Sequence, residues 1–177
     1  MRTREERFNQ LYDEHFEAVR AYVWRRDPDL CDEVLAETFL VAWRRLEDTP
    51  LDTRPWLIGI ARNIRLNLRR TARRQQALTA RLMETASDPG YAEPSSHTAA
   101  IEAALSRLSD KDREILLLST WDGLDRTGIA QVLDCSRANV NVRLHRARRR
   151  LAATLTQELT DNAPHPSPIP RGAPDAH

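Results

Sequence analysis

The stretch that most constrains this chain runs from Asp125 to Leu151, DRTGIAQVLDCSRANVNVRLHRARRRL. Ile129, Val132 and Leu133 give a first helix an apolar face at helical spacing. Asp134 and Cys135 interrupt the pattern, and Ser136 offers a side-chain oxygen as N-cap for the next helix. There Val140, Leu144, Ala147 and Leu151 recur at helical spacing, so this helix also has one face to bury. Its other face carries Arg137, Asn139, Asn141, Arg143, Arg146 and Arg148. A short helix packed across a long one, with Arg and Asn exposed on the long one, is the layout of a helix-turn-helix DNA reader. The plainer alternative is a surface helical hairpin with a solvated basic face.

At 177 residues the chain has room for one domain or two small ones. The net charge of +1 conceals strong patterning. Seven arginines and no acid lie between Arg62 and Arg81, and six arginines and no acid between Arg137 and Arg150. Acids gather instead at Asp27–Glu37 and Asp110–Glu114. Two basic blocks so far apart suggest two contacts with a polyanion. Cys31 and Cys135 show no C-x-x-C spacing and no neighbouring histidines, so neither a metal site nor a cofactor is expected. No apolar run approaches a membrane span and the N-terminus has no apolar signal core, so a cytoplasmic chain without membrane insertion is expected.

The expected fold class is all-α: two small helical domains joined by a flexible linker, the C-terminal one a helix-turn-helix. In the first domain, residues 1–76, Phe8, Leu11, Tyr12, His15, Phe16, Val19, Tyr22 and Val23 mark an amphipathic helix over about 4–25. Asp27-Pro28-Asp29 breaks it. A second helix over about 30–46 turns Val34, Leu35, Thr38, Phe39, Ala42 and Leu46 inward, with Asp32, Glu33 and Glu37 near its N-terminal half. After a proline-bracketed loop, a third helix runs from Pro55 past Arg74, with Trp56, Leu57, Ile60, Ala61, Ile64 and Leu68 inward. Arg62, Asn63, Arg65, Asn67, Arg69 and Arg70 populate its remaining faces. It begins apolar and ends as a basic rod, which suits one end in a core and the other along nucleic acid. Residues 77–98, rich in Pro, Gly, Ser and acids such as Glu84, Asp88 and Glu93, read as a flexible acidic linker. In the second domain, residues 99–159, helices over 99–108 and after Ser109 lead through Asp122-Gly123 to the reader, whose first helix Asp125 caps. The proline-rich residues 160–177 read as a disordered tail.

This order of parts resembles the extracytoplasmic-function (ECF) sigma factors, the small alternative specificity subunits of bacterial RNA polymerase. The strings that carry the resemblance are DEVLAETFLVAWRRL, PWLIGIARNIRLNLRR, and ALSRLSDKDREILLL continuing through GLDRTGIAQVLDCSRANVNVRLHRARRRL. It covers about Phe8 to Leu155.

The resemblance implies a division of labour. The second helix, through Asp32, Glu33, Leu35, Glu37, Thr38, Phe39 and Trp43, would dock on the β′ clamp coiled coil of core RNA polymerase. The loop over 47–55 and the start of the third helix would melt and read the minus-ten promoter element, where family members flip a non-template base into a pocket. Asn63 and Asn67 would meet displaced bases or their backbone, and Arg62, Arg65, Arg69 and Arg70 would hold phosphates. The acidic linker would mimic RNA inside the polymerase. The C-terminal domain would rest on the β flap and read the minus-thirty-five element through Arg137, Asn139, Asn141, Arg143, His145 and Arg146, with Arg148 and Arg149 as phosphate clamps. An anti-sigma factor usually holds family members inactive.

The chain departs from the family pattern in places. Many members carry a basic residue where this chain has Asn141 and a small hydroxyl where it has Val142. The loop before Trp56 lacks the family's common aromatic–x–Gly pattern, and Asp134 stands where a turn glycine is frequent. The main alternative function is a free-standing helix-turn-helix regulator, which leaves the third helix and the acidic second helix without roles. A nucleic-acid-processing enzyme built on Asp32, Glu33 and Glu37 lacks any supporting metal or base geometry.

Overall fold

The computed structural model describes the backbone of residues 3–80 and 96–161, with side chains over 3–76 and 101–157. Its order is α1 (Arg4–Trp24), α2 (Cys31–Arg44), α3 (Thr53–Ala80), α4 (Ser96–Ser106), α5 (Asp110–Thr120), α6 (Arg126–Leu133) and α7 (Arg137–Asp161). Short 3₁₀ turns, Pro28–Leu30 and Leu46–Asp48, join the first three helices. Among the described residues there is no strand, and no helix is long and apolar enough to cross a membrane. α3 begins at Thr53 rather than Pro55 and keeps its helical backbone to Ala80, and α4 begins at Ser96. The remainder of the expected linker, residues 81–95, and the tail beyond residue 161 lie outside the described residues.

Helix ends are set by side chains close in sequence. Thr3 caps α1 reciprocally with Glu6: the Glu6 amide donates to the Thr3 hydroxyl at 3.1 Å, and the Thr3 amide donates to the Glu6 carboxylate at 2.8 Å. Ser109 accepts from the Asp112 amide at 3.2 Å, and Asp125 from the Gly128 amide at 2.7 Å. Arg113 donates to the carbonyls of Leu105 and Ser106 at 2.9 and 2.8 Å, closing the end of α4 onto α5.

One apolar core runs through both halves of the chain. Val19, Val23, Val34, Leu46, Leu57, Ile58 and Ala61 fill it from α1, α2, α3 and the second 3₁₀ turn. Ile115, Leu118, Ile129, Val140, Leu144 and Ala147 continue it through α5, α6 and α7. Ile60, expected inward, is only half-buried, and Ile58 takes the fully buried position. Trp121, the C-cap of α5, is 48% exposed.

The halves meet where α3 crosses α6. A Cβ on Gly128 would lie 2.9 Å from Pro55 Cγ, so the absence of a side chain there permits Pro55 its buried seat. A Cβ on Gly59 would lie 3.9 Å from Val132 Cα, an ordinary van der Waals contact.

Candidate nucleic-acid interface

The reader forms as its residues dictate. Asp134 ends α6 in the left-handed conformation at φ 49° and ψ 56°, a geometry that a short polar side chain tolerates better than most. The Cys135 amide donates back to the Ala130 carbonyl at 3.0 Å, and the Asn139 amide donates to the Ser136 hydroxyl at 3.2 Å, starting α7. Val140, Leu144 and Ala147 are buried, which leaves Arg137, Asn139, Asn141, Val142, His145, Arg146, Arg148 and Arg149 exposed. Arg150 is tied to buried Asp112 of α5 and so braces the helix. Arg143 is half-buried and faces the other half of the molecule across a cleft.

The basic end of α3 divides into two groups. Asn63, Asn67 and Arg70 are exposed, as their placement on the outer faces required. Arg65 corrects that placement: it is 7% exposed and donates to Asp27 Oδ2 at 2.8 Å. Arg69 pairs with the same carboxylate, and Arg62 is half-buried with Nε 3.7 Å from Glu114 Oε1. Three of the arginines expected to hold phosphates are thus engaged with carboxylates of this chain.

Those carboxylates belong to a network that locks the two halves together. Buried Tyr22 of α1 donates its hydroxyl to Glu114 of α5 at 2.9 Å. Arg26 donates Nε to the other Glu114 oxygen at 2.8 Å and Nη2 to Asp122 at 2.8 Å, while lying 4.0 Å over the Tyr22 ring. Arg25 also pairs with Asp122, and Arg54 donates to the Asp122 carbonyl at 2.6 Å. Arg65 reaches Glu114 at 3.7 Å.

The titration behaviour follows from this crowding. Burial alone would raise the Glu114 carboxyl, but Arg26, Arg65 and the Tyr22 hydrogen bond outweigh it and hold it below the ordinary carboxylate range. Burial, reinforced by the Glu114 charge, pushes the Tyr22 phenol up. Arg26 and Arg65 would be lowered by burial, yet their acidic neighbours raise both. Arg62 and Arg65 each keep a buried Nε–H without an acceptor among the described residues.

The family model for sigma-70 region 4 matches residues 98–151, the part containing the turn and α7 as far as Leu151. The ECF RNA polymerase sigma factor SigL of Mycobacterium tuberculosis is 33% identical over 84% of this chain and 88% of its own length. The chain belongs to the ECF family of RNA polymerase sigma factors. The ECF sigma factor SigM of Bacillus subtilis is 27% identical over 77% of this chain and 86% of its own. In fold, the chain is similar to Bartonella quintana RpoE, solved in complex with the anti-sigma factor NepR, at TM-score 0.64 and 23% identity, over 84% of this chain and 96% of that one. It is also similar to CnrH, solved in complex with the cytosolic domain of CnrY, at TM-score 0.58 and 28% identity, over 85% and 88%.

For this sigma factor, the α2 residues expected to meet polymerase also divide. Asp32, Glu33 and Glu37 are exposed and Trp43 is half-buried. Leu35, Thr38 and Phe39 are core residues, the Thr38 hydroxyl donating to the Val34 carbonyl at 2.6 Å. The exposed large apolar residue on α2 is Leu40, at 47%. Beside it lies an aromatic row, with Tyr12 4.7 Å from Phe39 and Phe8 5.2 Å from Trp43. The sequence pattern placed Asp27 and Asp122 at breaks between helices and Glu114 in an acidic cluster, and gave Arg26 no role. A signal was present for Glu114 and Arg65. Glu114 precedes buried Leu117 and Leu118 by three and four residues, and Arg65 follows buried Ala61 by four, so both lie on inner stripes.

Proposed function

We propose that this sigma factor binds core RNA polymerase in the cytoplasm, without catalysis of its own, and directs it to promoters read at two elements. The single observation that carries the reading is the pairing of a sigma-70 region 4 match over the turn and α7 as far as Leu151 with a second basic helix, α3, which begins 84 residues before α7 in family-like order. In this reading α7 enters the major groove of the minus-thirty-five element with Arg137, Asn139, Asn141, Arg143, His145 and Arg146 toward base edges. Arg148 and Arg149 sit on phosphates. Asn63 and Asn67 meet the opened minus-ten strand, with Arg70, and Arg62 once Glu114 leaves with the other half, on its backbone, while Arg65 and Arg69 stay paired with Asp27 of their own half and support that face from behind. Exposed Asp32, Glu33 and Glu37, with Trp43, face the β′ clamp, and buried Leu35, Thr38 and Phe39 support that surface from beneath. The C-terminal half contacts the β flap. An anti-sigma partner, which the family resemblance implies, is part of the proposal.

The reading requires the halves to separate. The two elements, by the positions that name them, lie about 25 base pairs apart, roughly 85 Å at 3.4 Å per pair. Arg70 and Arg143, one from each reader, line a single cleft of about 340 Å³. Both readers cannot engage one duplex in that arrangement, and we take it to be the closed, unbound form.

Gel filtration with core polymerase tests the assignment: the chain is expected to co-elute at one copy per core, and failure to co-elute overturns it. The closed form has its own test. The 3.9 Å approach at Gly59 keeps the Cα atoms of residues 59 and 132 within about 5.5 Å, inside the span of a disulfide. A Gly59→Cys, Val132→Cys pair, with Cys31 and Cys135 replaced by Ser, is expected to lose promoter binding when oxidised and regain it on reduction. Full promoter binding by the oxidised protein contradicts the need to open.

A further inference from the structure

The cleft between the halves carries more positive charge than the closed form can balance. Ten cationic side chains line it, against the carboxylates Asp110 and Glu114. Asp27 and Asp122, just behind the wall, pair with Arg65, Arg69, Arg25 and Arg26. Glu114 is taken by Arg26, Tyr22 and the nearby Arg62 and Arg65. Arg70, Arg73, Lys111 and Arg143 are left with no carboxylate within ion-pairing distance among the described residues. They come from three different helices, α3, α5 and α7, and closure brings them around one space. Like charges gathered this way oppose closure unless an anion sits among them.

We propose that this cleft is a binding site for a small anion carrying two or more phosphate groups, which bridges α3, α5 and α7 and holds the two halves together. The volume, about 340 Å³, falls within the range of small-molecule sites and is far too small for a duplex. The demand is for several negative charges in a compact body, because the unbalanced cations lie on separate walls. A polyphosphate group meets it, since each phosphate oxygen set can accept from a different guanidinium. The floor is preformed: Arg26 and Arg65 are 3% and 8% exposed at the side chain and fixed by carboxylates on their far sides. The site exists only when the halves are together, so its ligand favours the closed form by differential binding. Such a ligand would oppose promoter reading, making the cleft a point of small-molecule control. This rests on the closed arrangement and not on the sigma-factor assignment.

The test uses the full chain with inorganic tripolyphosphate, at constant ionic strength and without polymerase or DNA. Titration calorimetry is expected to show one saturable site, and binding is expected to raise the melting temperature. An Arg70→Gln, Arg143→Gln double variant is expected to lose at least tenfold in affinity. An Arg44→Gln, Arg126→Gln variant, which removes the same charge from exposed positions outside the cleft, is expected to stay within twofold of the parent. The oxidised Gly59→Cys, Val132→Cys protein is expected to bind at least as tightly as the parent. Several weak sites, equal losses in the two double variants, or weaker binding by the cross-linked protein would each overturn the proposal. So would an oligothymidine of equal charge binding more tightly with the same variant dependence, which would make the cleft part of a nucleic-acid path.

Discussion

Tyr22 and Glu114 stand 92 residues apart and share a 2.9 Å hydrogen bond, phenol to carboxylate, between the first helix of the N-terminal half and the second helix of the C-terminal half. Arg26 completes the contact by covering the Tyr22 ring and binding the second Glu114 oxygen. Neither half contains a complete set of partners for these groups. The closed form satisfies them together, and opening must expose them to water.

Glu114→Gln removes the charge that faces Arg26, whose side chain is 3% exposed. Removing one partner of a buried pair costs about 3–5 kcal/mol in general. Here Asp122 still faces Arg26, so the lower end, about 3 kcal/mol, is expected. Tyr22→Phe loses one hydrogen bond to a charged group, about 1.5–3 kcal/mol. Urea unfolding measures both, and a double-mutant cycle should show that the two losses do not add.

The depressed Glu114 carboxyl gives the network a pH dependence of fixed sign. Its folded value lies below the ordinary 4.5, so the stabilisation is fully present above that value and is lost as pH falls through the folded one. The stability gap between the parent and Glu114→Gln is expected to be constant from pH 7 to about 5 and to shrink toward pH 3. A gap that widens on acidification would contradict the assignment of the charged form to Glu114.

The two interfacial glycines should respond in opposite directions. Gly59→Ala meets Val132 at an ordinary distance and removes a helix-interior glycine, so a gain of up to about 1 kcal/mol is expected. Gly128→Ala drives its Cβ against Pro55 and toward the Asp125 cap oxygen at 3.4 Å, with an expected loss of about 1–3 kcal/mol. Thermal unfolding of the two variants side by side checks the sign of each.

DNA reading should separate by half. Asn63→Ala is expected to impair promoter opening, read by permanganate reactivity of unpaired thymines, while core binding stays intact. Arg143→Ala is expected to weaken affinity for the minus-thirty-five element by about 1–3 kcal/mol. An Arg143→Ala protein with unchanged promoter affinity would move base reading elsewhere on α7.

Local features were legible in the sequence because their causes are local. The α6–α7 turn, the caps at Ser109, Asp125 and Ser136, and the tolerance of Asp134 for the left-handed region each depend on residues within a few positions. The joining of the halves was not legible. Arg65 reads as one more arginine on a basic helix until Asp27 and Glu114 are brought beside it. The same holds for α2, where periodicity placed Leu35, Thr38 and Phe39 inward while the family resemblance assigned them to a docking surface. They are buried, and Leu40 is the large apolar residue exposed there. Charge complementarity between distant segments leaves no periodic trace, so the pairing of these groups emerges only from the fold.

The central claim, that this chain confers promoter choice on core polymerase, is tested most directly by run-off transcription on a library of upstream fragments from the source genome. Core polymerase with the chain is expected to yield discrete transcripts that core alone does not make, and the Asn63→Ala and Arg143→Ala proteins are expected to reduce them. Identical transcript patterns with and without the chain, on every template and with a core preparation active toward another sigma factor, would contradict it.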